Sequence, residues 1–210
     1  MEIESLKEDL QKLSEKDFFM KHIVKSHNWY LTEYLKTPIT DLVERLDKMK
    51  EIVSQSFNIG FHSLQIVGSA KTGFSLSPKK ILKPFHEETD ASPSSDIDIA
   101  LISDYWYSYL WNRIRKLPEI YYKENSQLFS KITYSVFKGF IDAKDICKLP
   151  ILRKEWSSHA GLANRQLQDN LDFVHPITYR VYRSWEDLED YQLYSIKKAK
   201  QQMEKQNEPI

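Results

Sequence analysis

The chain has 210 residues, sets 30 Lys and Arg against 30 Asp and Glu, and carries a single cysteine, Cys147. That length suits one compact domain with a substantial core. The balanced charge excludes the overall basic field of generic nucleic-acid binding, and the lone thiol excludes an intramolecular disulfide or a cysteine-rich zinc site.

No apolar run is long enough to cross a bilayer, and the start Met1-Glu2-Ile3-Glu4 is acidic where a secretory signal is basic and then apolar. The expectation is a cytoplasmic protein with no membrane partner. Five Gly against 12 Tyr, 10 Phe and 5 Trp describe a stiff, aromatic-rich globule rather than a disordered chain.

In chain order, Leu6, Leu10, Leu13, Phe18, Phe19 and Ile23 form a helical stripe from Ser5 to Val24, either packed on its own domain or used as a dimer arm. Thr37-Pro38 marks the next helix start. Ile39, Leu42, Val43, Leu46, Met49, Ile52, Val53 and Phe57 keep its spacing until Asn58-Ile59-Gly60 stops it. Phe61 to Val67 reads as a buried strand delivering the chain to Gly68-Ser69, a tight turn that offers amides and a hydroxyl to a phosphate.

Ser77 to Ser95 has no helical period and reads as a loop, with Lys79, Lys80, Lys83, His86, Glu87, Glu88 and Asp90 in solvent or over a ligand. Then Ile97 to Ile102 is apolar except for Asp98. Asp96 and Asp98 are two residues apart, so period-two alternation points both carboxylates to one face, where a divalent metal fits between them.

Asp104 is placed to cap a helix with Tyr105, Trp106, Tyr109, Leu110, Ile114 and Leu117 on one face. Tyr105, Trp106 and Tyr107 could stack a base, but aromatics at this spacing are ordinarily core. Helical fragments follow at Ser126 to Phe137, Asp142 to Lys148 and Arg153 to Leu171, broken by Gly139 and Pro150. Ile177 to Arg183 alternates as a strand, and Ser184-Trp185-Glu186-Asp187 opens a last helix whose tail frays toward Ile210. The six His residues show no zinc-ligand spacing.

A helix, a strand ending in Gly-Ser, a loop and a strand bearing Asp-x-Asp together resemble the DNA polymerase β-like nucleotidyltransferase superfamily, over roughly Thr40 to Leu101. The fold implied is α/β (α+β), a small mixed sheet flanked by helices. Its divisions are a helical region at 1–36, a core at 37–183 and a C-terminal helix and tail at 184–210.

By that resemblance Gly68 and Ser69, with Lys71 and Thr72 close by, bind a nucleoside triphosphate. Asp96 and Asp98 are catalytic and hold Mg²⁺ or Mn²⁺, and a hydroxyl attacks the α-phosphorus and expels pyrophosphate. The third carboxylate of such sites is assigned first to Asp172, set between Leu171 and Phe173 as on a buried strand, and second to Asp142. If the strand Ile177 to Arg183 is the one that carries it, Arg180 or Tyr182 stands there instead. The long insert is similar to that of nucleotidyltransferase-like proteins of bacterial defence islands, which implies antiviral defence, a short oligonucleotide product and a protein effector. Two alternatives stay open: a nucleotide sensor or antitoxin-like partner without turnover, and nucleotidylation of a protein hydroxyl such as Tyr191 or Tyr194.

Overall fold

The computed structural model describes residues 3–25, 27–87, 89 and 93–207. Glu88 and Asp90 of the insert, and the tail from residue 208, lie outside the described residues. The architecture is mixed α/β with a small four-stranded mixed sheet. Its strands are β1 (Leu64–Val67), β2 (Ile97–Ile102), β3 (Phe140–Asp142) and β4 (Ile177–Tyr182), in the order β1-β2-β4-β3. β3 and β4 are antiparallel, with Asp142 opposite Arg180.

By contact the chain divides into two compact units, each assembled from stretches distant in sequence. The first comprises Met1–Glu44, Ile66–Asp98 and Glu189–Ile210, and the second Arg45–Gln65 and Ile99–Leu188.

In the first unit the N-terminal stripe is not one helix. α1 (Ile3–Lys12) ends near Ser14, whose Oγ accepts from the Asp17 amide at 3.1 Å and starts α2 (Glu15–Phe19). A serine able to cap the next turn competes with helix continuation, which is why the stripe breaks there. α2 widens into a π-helical turn at Met20–Val24, and a second such turn spans Tyr30–Tyr34. Leu6, Leu10, Phe18, Ile23, Tyr30 and Leu31 are buried here, as are Ile196, Ala199 and Met203 of α10 (Trp185–Asn207).

The second unit holds most of α3 (Leu42–Phe57), which starts later than Thr37-Pro38 suggests because Pro38 opens a turn closed by the Asp41 amide. Ile39 and Val43 consequently stay exposed instead of joining the core. β1 is shorter than expected because Gly60 to Ser63 form a turn with a 2.8 Å amide-to-carbonyl bond.

After β2, Ser103 rather than Asp104 caps α5 (Asp104–Arg115), its Oγ accepting from the Trp106 amide. Trp106 and Tyr107 are core, as their spacing suggests, while Tyr105 points to solvent. α6 (Glu119–Glu124) and β3 were not legible. α7 (Ser126–Phe137) has the expected bounds, and Asp142 caps the short α8 (Ala143–Ile146). Pro150 separates the two helices as expected and itself begins α9 (Pro150–Leu171), three residues before Arg153, since a first-turn proline gives up no helical hydrogen bond. Ser184 and Asp187 form the expected cap of α10, with the Asp187 amide donating to Ser184 Oγ at 3.2 Å.

Candidate functional site

The residues singled out around the glycine turn lie together in the first unit. β1 ends at Val67, Gly68 turns the chain, and Ser69 to Thr72 form the one-turn helix α4 (Ser69–Thr72), ended by Gly73. Gly68 has φ 67° and ψ −154°, a region essentially restricted to glycine. Space demands glycine as well: a Cβ there would stand 2.7 Å from Asp98 Oδ2. The carboxylate therefore packs directly over the turn.

Asp98 is half-buried within β2 while its neighbours Ile97 and Ile99 are fully buried, so the acid faces away from the apolar side. Asp96, also half-buried, precedes the strand by one residue. Ser69 is half-buried, and its hydroxyl makes no hydrogen bond among the described residues.

Lys71 and Thr72, expected close to the bound phosphates, both bury their side chains. Thr72 is fully buried, and its hydroxyl donates to the Phe74 carbonyl at 2.7 Å, with Gly68 O at 3.3 Å. Lys71 is buried too, its Nζ donating to the Lys25 carbonyl. Both side chains brace the turn from inside. On its far side Gly73 (φ 83°) lies against the indole of Trp29, whose Cδ1 would stand 2.7 Å from a Cβ.

The described part of the insert is tied by hydrogen bonds at both ends. The Phe85 amide donates to the Gly73 carbonyl at 2.8 Å, and Ser75 pairs with Lys83 and Leu82. Ser95 closes the far end through its amide to His86 O at 2.9 Å and its Oγ, 2.9 Å from His86 Nδ1. Lys79, Lys80 and Lys83 are exposed, in keeping with solvated surface. The Tyr34 hydroxyl donates to Glu87, which pushes the phenol up to about 12.

Neither candidate for the third carboxylate sits on the strand beside β2. Asp172 is not on a buried strand: it ends α9 in a left-handed conformation (φ 55°), with its side chain 77 % exposed and 2.9 Å from Arg45 Nη2. The same Arg45 nitrogen donates to the Leu171 carbonyl at 2.7 Å. Asp172 thus finishes a helix. Asp172→Asn is expected to change stability by less than ~1 kcal/mol, as for an exposed ion pair, and to leave any triphosphate turnover unchanged. Chemical denaturation and a pyrophosphate assay on the variant check both.

Asp142 is on β3, and β4 lies between that strand and β2. It accepts from the Lys144 amide at 2.9 Å and meets Arg180 Nη2 at 3.3 Å, while the Arg180 guanidinium lies 5.0 Å above the Phe140 ring. β4 itself contains no acid: Arg180 is half-buried and Tyr182 fully buried.

The chain matches no family model, no curated protein and no solved structure. The donor set at Asp96 and Asp98 nevertheless fits a hard divalent cation, being two half-buried carboxylates with a glycine cradle that a Cβ would fill. Among the described residues no group of three or more His, Cys, Asp or Glu side chains is gathered to hold a metal ion. No helix among the described residues is long and apolar enough to cross a membrane.

Proposed function

We propose that the protein is a metal-dependent nucleotidyltransferase that moves a nucleoside monophosphate from a nucleoside triphosphate to a hydroxyl and releases pyrophosphate. The observation that carries this reading is the packing of the Asp98 carboxylate directly over Gly68, at a distance no side chain on residue 68 would permit. It sets a carboxylate beside the glycine turn. In that arrangement Gly68 and Ser69 receive the phosphate chain, and Asp96 and Asp98 hold Mg²⁺ or Mn²⁺. A cation bound there supplies Lewis-acid charge to phosphate oxygens. The carboxylates fix it on the β2 side, and the Ser69 hydroxyl orients the phosphates.

The test is pyrophosphate release from each NTP and dNTP with Mg²⁺ or Mn²⁺. Wild type is expected to turn over at least one triphosphate, and Asp98→Asn to lose a factor of about 10² or more, the scale of a removed electrostatic contact. Turnover that survives Asp98→Asn, or a folded wild type that neither binds nor converts any triphosphate, sinks the proposal.

One observation favours a second reading. β4, the strand next to β2, carries no acidic residue, whereas the resemblance implies a third carboxylate on a neighbouring strand. A site of that kind holds a triphosphate without activating an acceptor, and the protein then acts as a nucleotide sensor. Triphosphate binding lost in Asp98→Asn, with no pyrophosphate under any metal, selects this reading.

A further inference from the structure

The inference rests on the triphosphate reading of Gly68 and Ser69 and concerns the lysine three positions after the glycine. Lys71 is only 4 % exposed, and its ammonium has one hydrogen bond, 2.5 Å to the Lys25 carbonyl oxygen. Among the described residues no carboxylate pairs with it. A buried cation with three donors and a single carbonyl partner is costly, because water solvated all three. Methionine would fill the same space without that cost.

The surrounding groups do not neutralise it. The turn at Met20–Val24 contributes Lys21 and His22, both directed at Asp9, at 2.6 and 2.8 Å. The turn at Tyr30–Tyr34 contributes Tyr30, Glu33 and Tyr34, the last bonded to Glu87. The chain between the turns contributes Lys25 and His27, and the charge of Lys71 itself helps lower the proton affinity of His27. Burial alone lowers that of Lys71, from 10.5 to about 8. Its amide donates to the Gly68 carbonyl at 3.1 Å, so the residue stands within one turn of the glycine.

We propose that Lys71 is an electrostatic positioning residue: a polyphosphate bound at Gly68 and Ser69 stabilises its charge, draws a proton onto its amine, and fixes the glycine turn through the Lys25 carbonyl. In a medium of effective dielectric about 20, one unit charge at roughly 10 Å already changes an affinity about tenfold, and a polyphosphate carries several. That is enough to hold the amine protonated.

The sign for stability is set by the same burial. A lysine that binds its proton less tightly when folded destabilises the fold fully below about pH 8 and progressively less toward 10.5. Lys71→Met is therefore expected to raise the melting temperature at neutral pH, by an amount that fades as pH rises through that window. Packing alone predicts the opposite.

The experiment is isothermal titration calorimetry of the full chain with inorganic triphosphate and Mg²⁺ near pH 8, in two buffers of different ionisation enthalpy. Wild type is expected to take up about half a proton more than Lys71→Met, because a group at its own midpoint is half protonated before binding. Lys71→Met should bind about tenfold more weakly, whereas Lys71→Arg keeps the affinity and loses the uptake. Equal affinity and equal proton counts in wild type and Lys71→Met overturn the inference alone, as does a Lys71→Met chain that melts lower at neutral pH. A wild type that binds no triphosphate overturns the reading of the glycine turn, and this inference with it.

Discussion

Gly68→Ala is expected to abolish triphosphate binding and to lower the stability of the fold by about 1–3 kcal/mol, the range for a residue forced into a glycine-only backbone region. Both effects come from one atom. At φ 67° and ψ −154° the added methyl meets its own backbone, and in space it meets Asp98 Oδ2 at 2.7 Å. The carboxylate must then rotate away, taking the proposed metal ligand off the turn.

A double-mutant cycle separates the two contributions. Adding Asp98→Ala to Gly68→Ala removes the collision and leaves the backbone strain. It should recover part of the stability and none of the binding. Urea denaturation and calorimetric titration with Mg²⁺ and triphosphate read the two quantities independently. Undiminished triphosphate affinity in Gly68→Ala would mean that the contact between turn and carboxylate is only packing.

The same acid pattern in the sequence had two outcomes. Asp98 lies between Ile97 and Ile99, and Asp172 between Leu171 and Phe173, and in each case the flanking residues are buried. Neighbours that point inward send the residue between them outward, so the pattern alone fixes a direction and not a destination. For Asp98 that direction is covered by the Gly68 turn. For Asp172 it is solvent, because α9 closes there in a left-handed turn and Arg45 takes the carboxylate.

Periodicity made α7 and β2 legible because each has enough residues to repeat its pattern. β3 has three residues, too few to show alternation, and its role as the partner of β4 depends on a chain segment nearly forty residues away. The roles of Lys71 and Thr72 were hidden for a related reason. Local sequence places them beside the turn, while the Lys25 and Phe74 carbonyls that engage them belong to tertiary structure.

Phe57→Ala is expected to be the most damaging single change in the second unit, costing about 3–5 kcal/mol as other buried phenylalanine truncations do. Phe57 is fully buried at the end of α3. Its ring centroid is 5.1 Å from that of Trp156, 5.0 Å from Tyr179, and 6.1 Å from both Trp106 and His159. Its carbonyl accepts the Trp106 indole N–H at 2.7 Å. The truncation keeps that hydrogen bond but empties the space the other rings close around.

Because Tyr179 is on β4 and Trp106 on α5, one ring fixes the strand next to β2 and the helix that follows β2. For a chain of this size the loss corresponds to roughly 6–20 °C in melting temperature. Phe57→Leu fills part of the space and should cost less than half as much. Thermal melts of the two variants decide the point: a Phe57→Ala chain that melts within about 2 °C of wild type, less than a 1 kcal/mol change produces, would show that the aromatic cluster closes without its central ring and that α3 is held by its other buried residues, Met49, Ile52 and Val53.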